Sequence, residues 1–168
     1  PSSSHKNITT EKPKYHFVEN ELEIKNLLSL LMAQKSVCFD TETSSLEPRH
    51  AELVGISFSF KKGEAYYISA PKAFDQAKSL LTSFSVFFES EKIEKVAHNI
   101  KYDLKVLSRY GINVKGPVFD TMIANYLINP ESRQSMDFLA TYYLNYKPIP
   151  IESLIGKKGK KQGNLMDL

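Results

Sequence analysis

The chain has 168 residues, of which 42% are hydrophobic and 24% charged, and Lys plus Arg exceed Asp plus Glu by 22 to 19 for a net charge of +3. That length supports one domain with a substantial core, and the composition excludes a disordered or low-complexity chain. No apolar stretch approaches the roughly 20 residues that span a bilayer, no secretory leader pattern opens the sequence, and the single cysteine, Cys38, cannot form an internal disulfide, which suits a reducing, cytoplasmic compartment.

Residues 1–15 are polar and aperiodic and read as a flexible tail or linker ahead of a domain over 16–168. From Glu19 to Gln34 the positions Ile24, Leu27, Leu28 and Leu31 follow helical spacing, with Asn20 as N-cap. Ser36 to Glu42 reads as a strand with a buried start. Glu52–Phe60 and Glu64–Ser69 alternate around Lys61-Lys62-Gly63, the pattern of a β-hairpin. Phe74–Glu89 reads as one helix, Lys95–His98 as a short buried strand, and Asn99–Tyr110 as a helix closed by Gly111 at C′. Val118-Phe119 is a further strand. Thr121–Ile128 and Ser135–Leu144 are helices, the second capped by Ser135. A short helical piece is expected near Glu152–Ile155, before the lysine-rich run Lys157–Lys161. Helices interleaved with a mixed sheet give an α/β layer fold.

The chemistry concentrates at Phe39-Asp40-Thr41-Glu42-Thr43. Side chains alternate along a strand, so Asp40 and Glu42 share a face. Adjacent carboxylates repel, and a hard divalent cation such as Mg²⁺ or Mn²⁺ relieves that repulsion with oxygen ligands. A second set is His98-Asn99-Ile100-Lys101-Tyr102-Asp103, in which Asn99 and Asp103 lie one helical turn apart and share a face. Asp103 can then join Asp40 and Glu42; alternatively Asn99 is an ordinary helix cap. Asp120 stands where a strand hands over to a helix, and its N-cap reading is preferred over a metal role. His5 and His50 have no partner at ligand spacing. Lys157–Lys161 reads as solvated, with a phosphate-backbone contact as the alternative.

Phe39-Asp40-Thr41-Glu42-Thr43-Ser44-Ser45-Leu46 resembles the first exonuclease motif of the bacterial DNA polymerase I family, and Asn99-Ile100-Lys101-Tyr102-Asp103 resembles the second. Leu53–Phe58, Tyr110-Gly111-Ile112, Phe119-Asp120-Thr121-Met122 and Met136–Ala140 extend the likeness in the same order. The resemblance implies a 3′–5′ proofreading exonuclease on a ribonuclease-H-like fold, the four-carboxylate type, with a mixed sheet flanked by helices. It implies two divalent metal ions, Mg²⁺ or Mn²⁺, held by Asp40, Glu42 and Asp103 as catalytic carboxylates. Asp40 would bridge both ions, Glu42 would orient the attacking water, and Asp103 would hold the second ion. Thr43, Leu46, His98, Asn99, Tyr102, Met122 and Arg133 match positions lining the single-strand groove, with Leu46 as a wedge between bases and Arg133 on a phosphate. The implied partners are the 3′ end of single-stranded DNA and a covalently linked polymerase domain, in a monomer without membrane attachment.

The sequence departs from the family at its third motif, a Tyr followed four residues later by an Asp. The late acid Asp167 is preceded at that spacing by Gly163. The chain starts without Met and stops without a terminating feature, so it reads as a piece cut before that motif, weakly active or inactive by itself. Two other readings remain: a non-catalytic module that holds single strands or scaffolds a polymerase, and an RNA-trimming exonuclease similar to ribonuclease D.

Overall fold

A computed structural model describes residues 5–150 and 153 of the chain. Six strands form one mixed sheet: β1 (Lys14–Phe17), β2 (Ser36–Thr43), β3 (Leu53–Lys61), β4 (Glu64–Ser69), β5 (Glu94–Ala97) and β6 (Val118–Asp120), in the spatial order β1-β4-β3-β2-β5-β6. The hairpin expectation holds: β3 and β4 are antiparallel, and the turn between them closes at Gly63, whose φ of 74° falls where glycine is favoured. β2 runs antiparallel to β3 but parallel to β5, and β5 is parallel to β6.

Seven helices accompany the sheet among the described residues: α1 (Ile8–Glu11), α2 (Glu21–Met32), α3 (Phe74–Ser83), α4 (Ser85–Phe88), α5 (Ile100–Arg109), α6 (Thr121–Ile128) and α7 (Met136–Leu144). Asn20 caps α2 as expected, its side chain accepting from the Glu23 N–H. At α5 the C-terminal reading also holds. Gly111 has φ 83°, the Ile112 N–H reaches the Leu107 carbonyl and the Gly111 N–H reaches Ser108, a Schellman closure.

Three expectations need correction. Residues 5–15 are not a bare tail. Asn7 caps α1 through a capping box, and β1 starts at Lys14, pairing parallel with β4 so that Lys14 faces Glu64 and Phe17 faces Tyr67. The strand was hidden because all four of its residues are exposed at the sheet edge, which erases the burial alternation. The helix expected over Phe74–Glu89 breaks at Phe84 (φ −98°, ψ 4°) into α3 and α4. Phe84, Phe87 and Phe88 are all fully buried, and the break lets the three rings enter the same core. Ser135 occupies the N-cap of α7 but makes no side-chain cap bond. The expectations for Glu152–Ile155 and Lys157–Lys161 lie outside the described residues, apart from Ser153.

The core lies on one face of the sheet. Phe58 packs on Phe84 at 5.3 Å and edge-on to Phe87 at 5.7 Å between ring centres, and Phe39 meets Phe88 edge-on at 5.3 Å. Leu27 and Leu31 of α2 and Val106 and Leu107 of α5 complete it. Val37, Phe39 and Thr41 of β2 point into this core, which forces Cys38, Asp40 and Glu42 onto the opposite face. Among the described residues no helix is long and apolar enough to cross a membrane.

Candidate active site

The site forms where β2 outruns its parallel neighbour. β5 pairs with β2 only as far as Cys38 opposite Val96. Beyond that point the β5 side of β2 is open, and the chain leaves β5 through His98 and Asn99 to start α5. Asp103, on the first turn of α5, fills the gap. Its Oδ1 accepts from the Thr41 N–H at 3.0 Å and the Thr41 hydroxyl at 2.6 Å, and the residue is only 2% exposed. The Thr41 N–H that has no strand partner on this side is thus satisfied by the helix.

Across the β2–β3 pair, Asp40 stands opposite Ser57 and Glu42 opposite Gly55, with a register irregularity between Glu42 and Thr43. Bulges of this kind re-aim side chains beside functional sites. The Tyr67 ring of β4 lies over Gly55: a Cβ there would fall 2.2 Å from the phenolic oxygen. Burial pushes the Tyr67 phenol above its usual range, Ser69 offsets this by hydrogen bonding, and the Glu42 charge adds to it.

All three acids are raised, and Asp103 contributes to the rise of the other two. Burial, then Asp103, then Glu42 push the Asp40 carboxyl from 3.8 to about 7. Glu42 is raised by burial and by Asp103. Asp103 is raised by burial against the opposing pull of the Thr41 bonds, with Asp120 adding to the rise. Burial leads each of these shifts and neighbouring acids add to it, an arrangement whose ionised form a hard divalent cation favours. Among the described residues no group of three or more His, Cys, Asp or Glu side chains stands at metal-holding spacing.

The remaining sequence-selected residues divide into two sets. Around the acids, the Tyr102 hydroxyl donates to the Ser45 carbonyl at 2.5 Å and meets the Thr43 hydroxyl at 2.5 Å, pinning the loop after β2 to α5. His98 Nδ1 lies 2.9 Å from the Thr121 hydroxyl, and its buried Nε2 has no hydrogen-bond partner among the described residues. Met122 sits in the first turn of α6, its N–H bonded to Asp120. The second set is exposed: Leu46, at 94% the most open of the large apolar residues, and Arg133, whose side chain makes no hydrogen bond or ion pair among the described residues.

Asn99 departs from the cap reading. It occupies the N-cap of α5 in the left-handed region (φ 62°) with no side-chain cap bond. Asp120 caps instead, and it caps twice. Oδ1 accepts from the Asn99 N–H at 3.1 Å and the Met122 N–H at 2.8 Å, with a longer contact from Ile123, and Oδ2 accepts from the Ile100 N–H at 3.0 Å. Both oxygens are spent on backbone donors, which agrees with the structural reading of this acid. Thr41 and Tyr67 were not singled out from the sequence. Thr41 lies between the two acids of D-x-E but faces the other way, and Tyr67 is placed only by the β3–β4 register.

Because the Thr41–Asp103 bond is buried and charge-assisted, Thr41→Val is expected to lower stability by about 1–2 kcal/mol in urea unfolding, while Thr41→Ser keeps most of it. A neutral Val variant would show that the bond contributes little to holding α5.

A family model described as 3′–5′ exonuclease, of the DNA polymerase A type, matches residues 15–165. DNA polymerase I of Borreliella burgdorferi is 41% identical over 153 residues, covering 89% of this chain and 17% of that protein. DNA polymerase I of Chloroflexus aurantiacus is 36% identical over 159 residues, covering 92% of the chain and 17% of that protein. The chain therefore spans about one sixth of the length of these curated relatives. In structure, the chain resembles Trypanosoma brucei RNase D with a TM-score of 0.72 at 14% identity, covering 94% of this chain and 56% of that one. It resembles Brucella melitensis NrnC with a TM-score of 0.63 at 24% identity, covering 80% of this chain and 61% of that one. These likenesses bear out the ribonuclease-H-like fold, and the extent of the sequence match decides the family: the chain belongs to the 3′–5′ exonuclease family of the DNA polymerase I type.

Proposed function

We propose that the chain hydrolyses the 3′-terminal phosphodiester of single-stranded DNA, as the proofreading domain of a cytoplasmic DNA polymerase I. The observation that carries this reading is geometric: Asp40 and Glu42 share one face of β2, and Asp103 is bonded to Thr41 between them at the open end of that strand. One of the structural neighbours, Brucella melitensis NrnC, has been solved with bound Mg²⁺. Two divalent ions, when bound, activate water and offset charge on the reacting phosphate. Asp40, the one of the three whose carboxyl is raised by both of the others, is the residue proposed to be shared between the ions. Glu42 faces the same side and is proposed to orient the water. Asp103, fixed by Thr41, is proposed to hold its ion through water, since one of its oxygens is already occupied.

Thr43, Leu46, His98, Asn99, Tyr102, Met122 and Arg133 are proposed to grip the strand. Leu46 has the exposure a wedge between bases requires, and Arg133 is open to a phosphate. Selectivity follows from fraying: a mispaired end reaches a single-strand grip more readily, and stacking there contributes roughly 1–3 kcal/mol per base. The sequence holds no Tyr-x-x-x-Asp, so the three acids are proposed to bind metal weakly and this chain to cleave slowly. A longer polymerase chain that supplies that motif would then cleave fast.

The test is a 3′-end ladder on a 5′-labelled single-stranded oligonucleotide with Mg²⁺ or Mn²⁺. The 168-residue chain should give a faint ladder, the longer chain a strong one, and chelation should remove both. Preferential trimming of an RNA oligonucleotide would instead favour the ribonuclease D-like reading.

A further inference from the structure

The outer side of α5 carries a feature that the carboxylate site does not use. A groove of about 1100 Å³ runs between the loop Glu47-Pro48-Arg49 and the start of α6, floored by α5. Ile100, Leu104 and Ile123 supply an apolar floor, and Lys101, Lys105 and Arg109 stand along it. Two acids face it. Glu47 is engaged by Arg49 at 3.0 Å, and Asp120 is committed to backbone N–H groups of α5 and α6. Arg109 is held by the Ala51 carbonyl and the Phe74 ring. Lys101 and Lys105 are exposed, one helical turn apart on the same face, and have no ion-pair partner among the described residues. The groove therefore holds net positive charge that nothing described neutralises.

It also joins the carboxylate site at two points. Its loop follows Leu46 directly, and its helix carries Tyr102 and Asp103 on the opposite side. From Lys101 to Arg109 the helix runs about 12 Å, more than the roughly 3.4 Å rise between stacked nucleotides of one strand. Cations beside an apolar floor are what a single strand needs, with phosphates against lysine and bases against the floor.

We propose that this groove is a second, sequence-independent track for single-stranded nucleic acid, holding the strand upstream of its 3′ end, with Lys101 and Lys105 as the phosphate contacts. The proposal rests on the exonuclease reading for the polarity of the strand, but not for the binding itself. An acidic peptide is the competing occupant. The apolar floor favours nucleic acid, since acidic side chains alone would leave it uncovered.

The test is fluorescence anisotropy of dye-labelled oligothymidylates of 4 and 12 nucleotides with the 168-residue chain in EDTA, across a salt series. The Lys101→Gln/Lys105→Gln protein should lose about tenfold affinity for the 12-mer at low salt. Its log–log salt slope should fall by about 1.4, from about 0.7 per lost phosphate contact. The 4-mer should lose far less, and Lys25→Gln/Lys35→Gln, which removes two exposed charges from around α2, should change neither. Equal 12-mer affinity and slope in the two double variants would overturn the track. So would competition by polyglutamate as strong as by unlabelled 12-mer. Failure of the unaltered protein to bind the 4-mer, with lysine-dependent 12-mer binding retained, would support the track while removing the terminal grip from the exonuclease reading.

Discussion

An Asp40→Asn protein is expected to lose cleavage and gain stability at the same time. Cleavage should fall by well over about 100-fold in the longer polymerase chain, because a 1 Å misplacement of a reacting group already costs about that much, and removing a shared ligand displaces more than one group. Stability should move the other way. In the folded protein the Asp40 carboxyl is raised from 3.8 to about 7. Its folded form therefore binds the proton more tightly than the unfolded chain does, and folding is penalised as pH rises from about 4 to 7. The penalty is absent below about pH 4 and complete above about pH 7, where it amounts to on the order of 2–4 kcal/mol. Asn carries no charge and escapes it. The variant should melt higher than the parent at pH 8, with a gain that shrinks at pH 5 and vanishes near pH 4. Mn²⁺ should stabilise the parent at pH 8 far more than the variant. Equal ladders from the two proteins would remove Asp40 from the site. Equal melting at pH 8 would show that the repulsion is relieved in some other way.

Asp120→Ala should destabilise the fold by about 3 kcal/mol, a large effect for a half-buried residue outside the hydrophobic core. One carboxylate serves the first turns of α5 and α6 together, and each lost cap costs about 1–2 kcal/mol. The charge also sits at two helix N-termini, where the dipoles favour it. Asn99 depends on this contact to hold its left-handed backbone, and α5 presents Asp103 one turn later. The Ala variant should therefore also weaken cleavage by misaligning Asp103. Asp120→Asn keeps one acceptor oxygen and should recover about half of the stability, since that oxygen can still take the Met122 and Asn99 N–H groups while the Ile100 N–H loses its acceptor and both helix N-termini lose the charge. Urea unfolding of the three proteins measures this directly. An Ala variant within 0.5 kcal/mol of the parent would show that solvent satisfies those N–H groups equally well.

How much of this was legible beforehand follows from the range of each interaction. Strand alternation in Ser36–Glu42, the hairpin around Gly63, the Asn20 cap and the Gly111 closure are local, encoded within a few residues, and each reappears in the fold. The motif spacing around Asp40, Glu42 and Asp103 was enough to suggest the family. The edge strand β1 escaped notice because its partner, β4, lies some fifty residues away and neither of its faces is buried. The break at Phe84 escaped because α3 and α4 together keep helical apolar spacing, and only a shared core demands that three rings turn inward.

By itself, then, the sequence determined the elements other than α1, β1 and the α3/α4 break, the face shared by Asp40 and Glu42, and the family, because backbone periodicity and motif spacing are properties of neighbouring residues. Tertiary structure alone decided the rest. It let β5 part from β2 at Cys38, so that the Thr41 N–H is left for Asp103 rather than for a strand. It spent the Asp120 carboxylate on two helices, and it laid Tyr67 over the one position without a side chain beside Glu42. Each of these depends on where distant segments stop pairing, and hydrogen-bond donors that lose a partner in one element are satisfied from another only after the chain has closed.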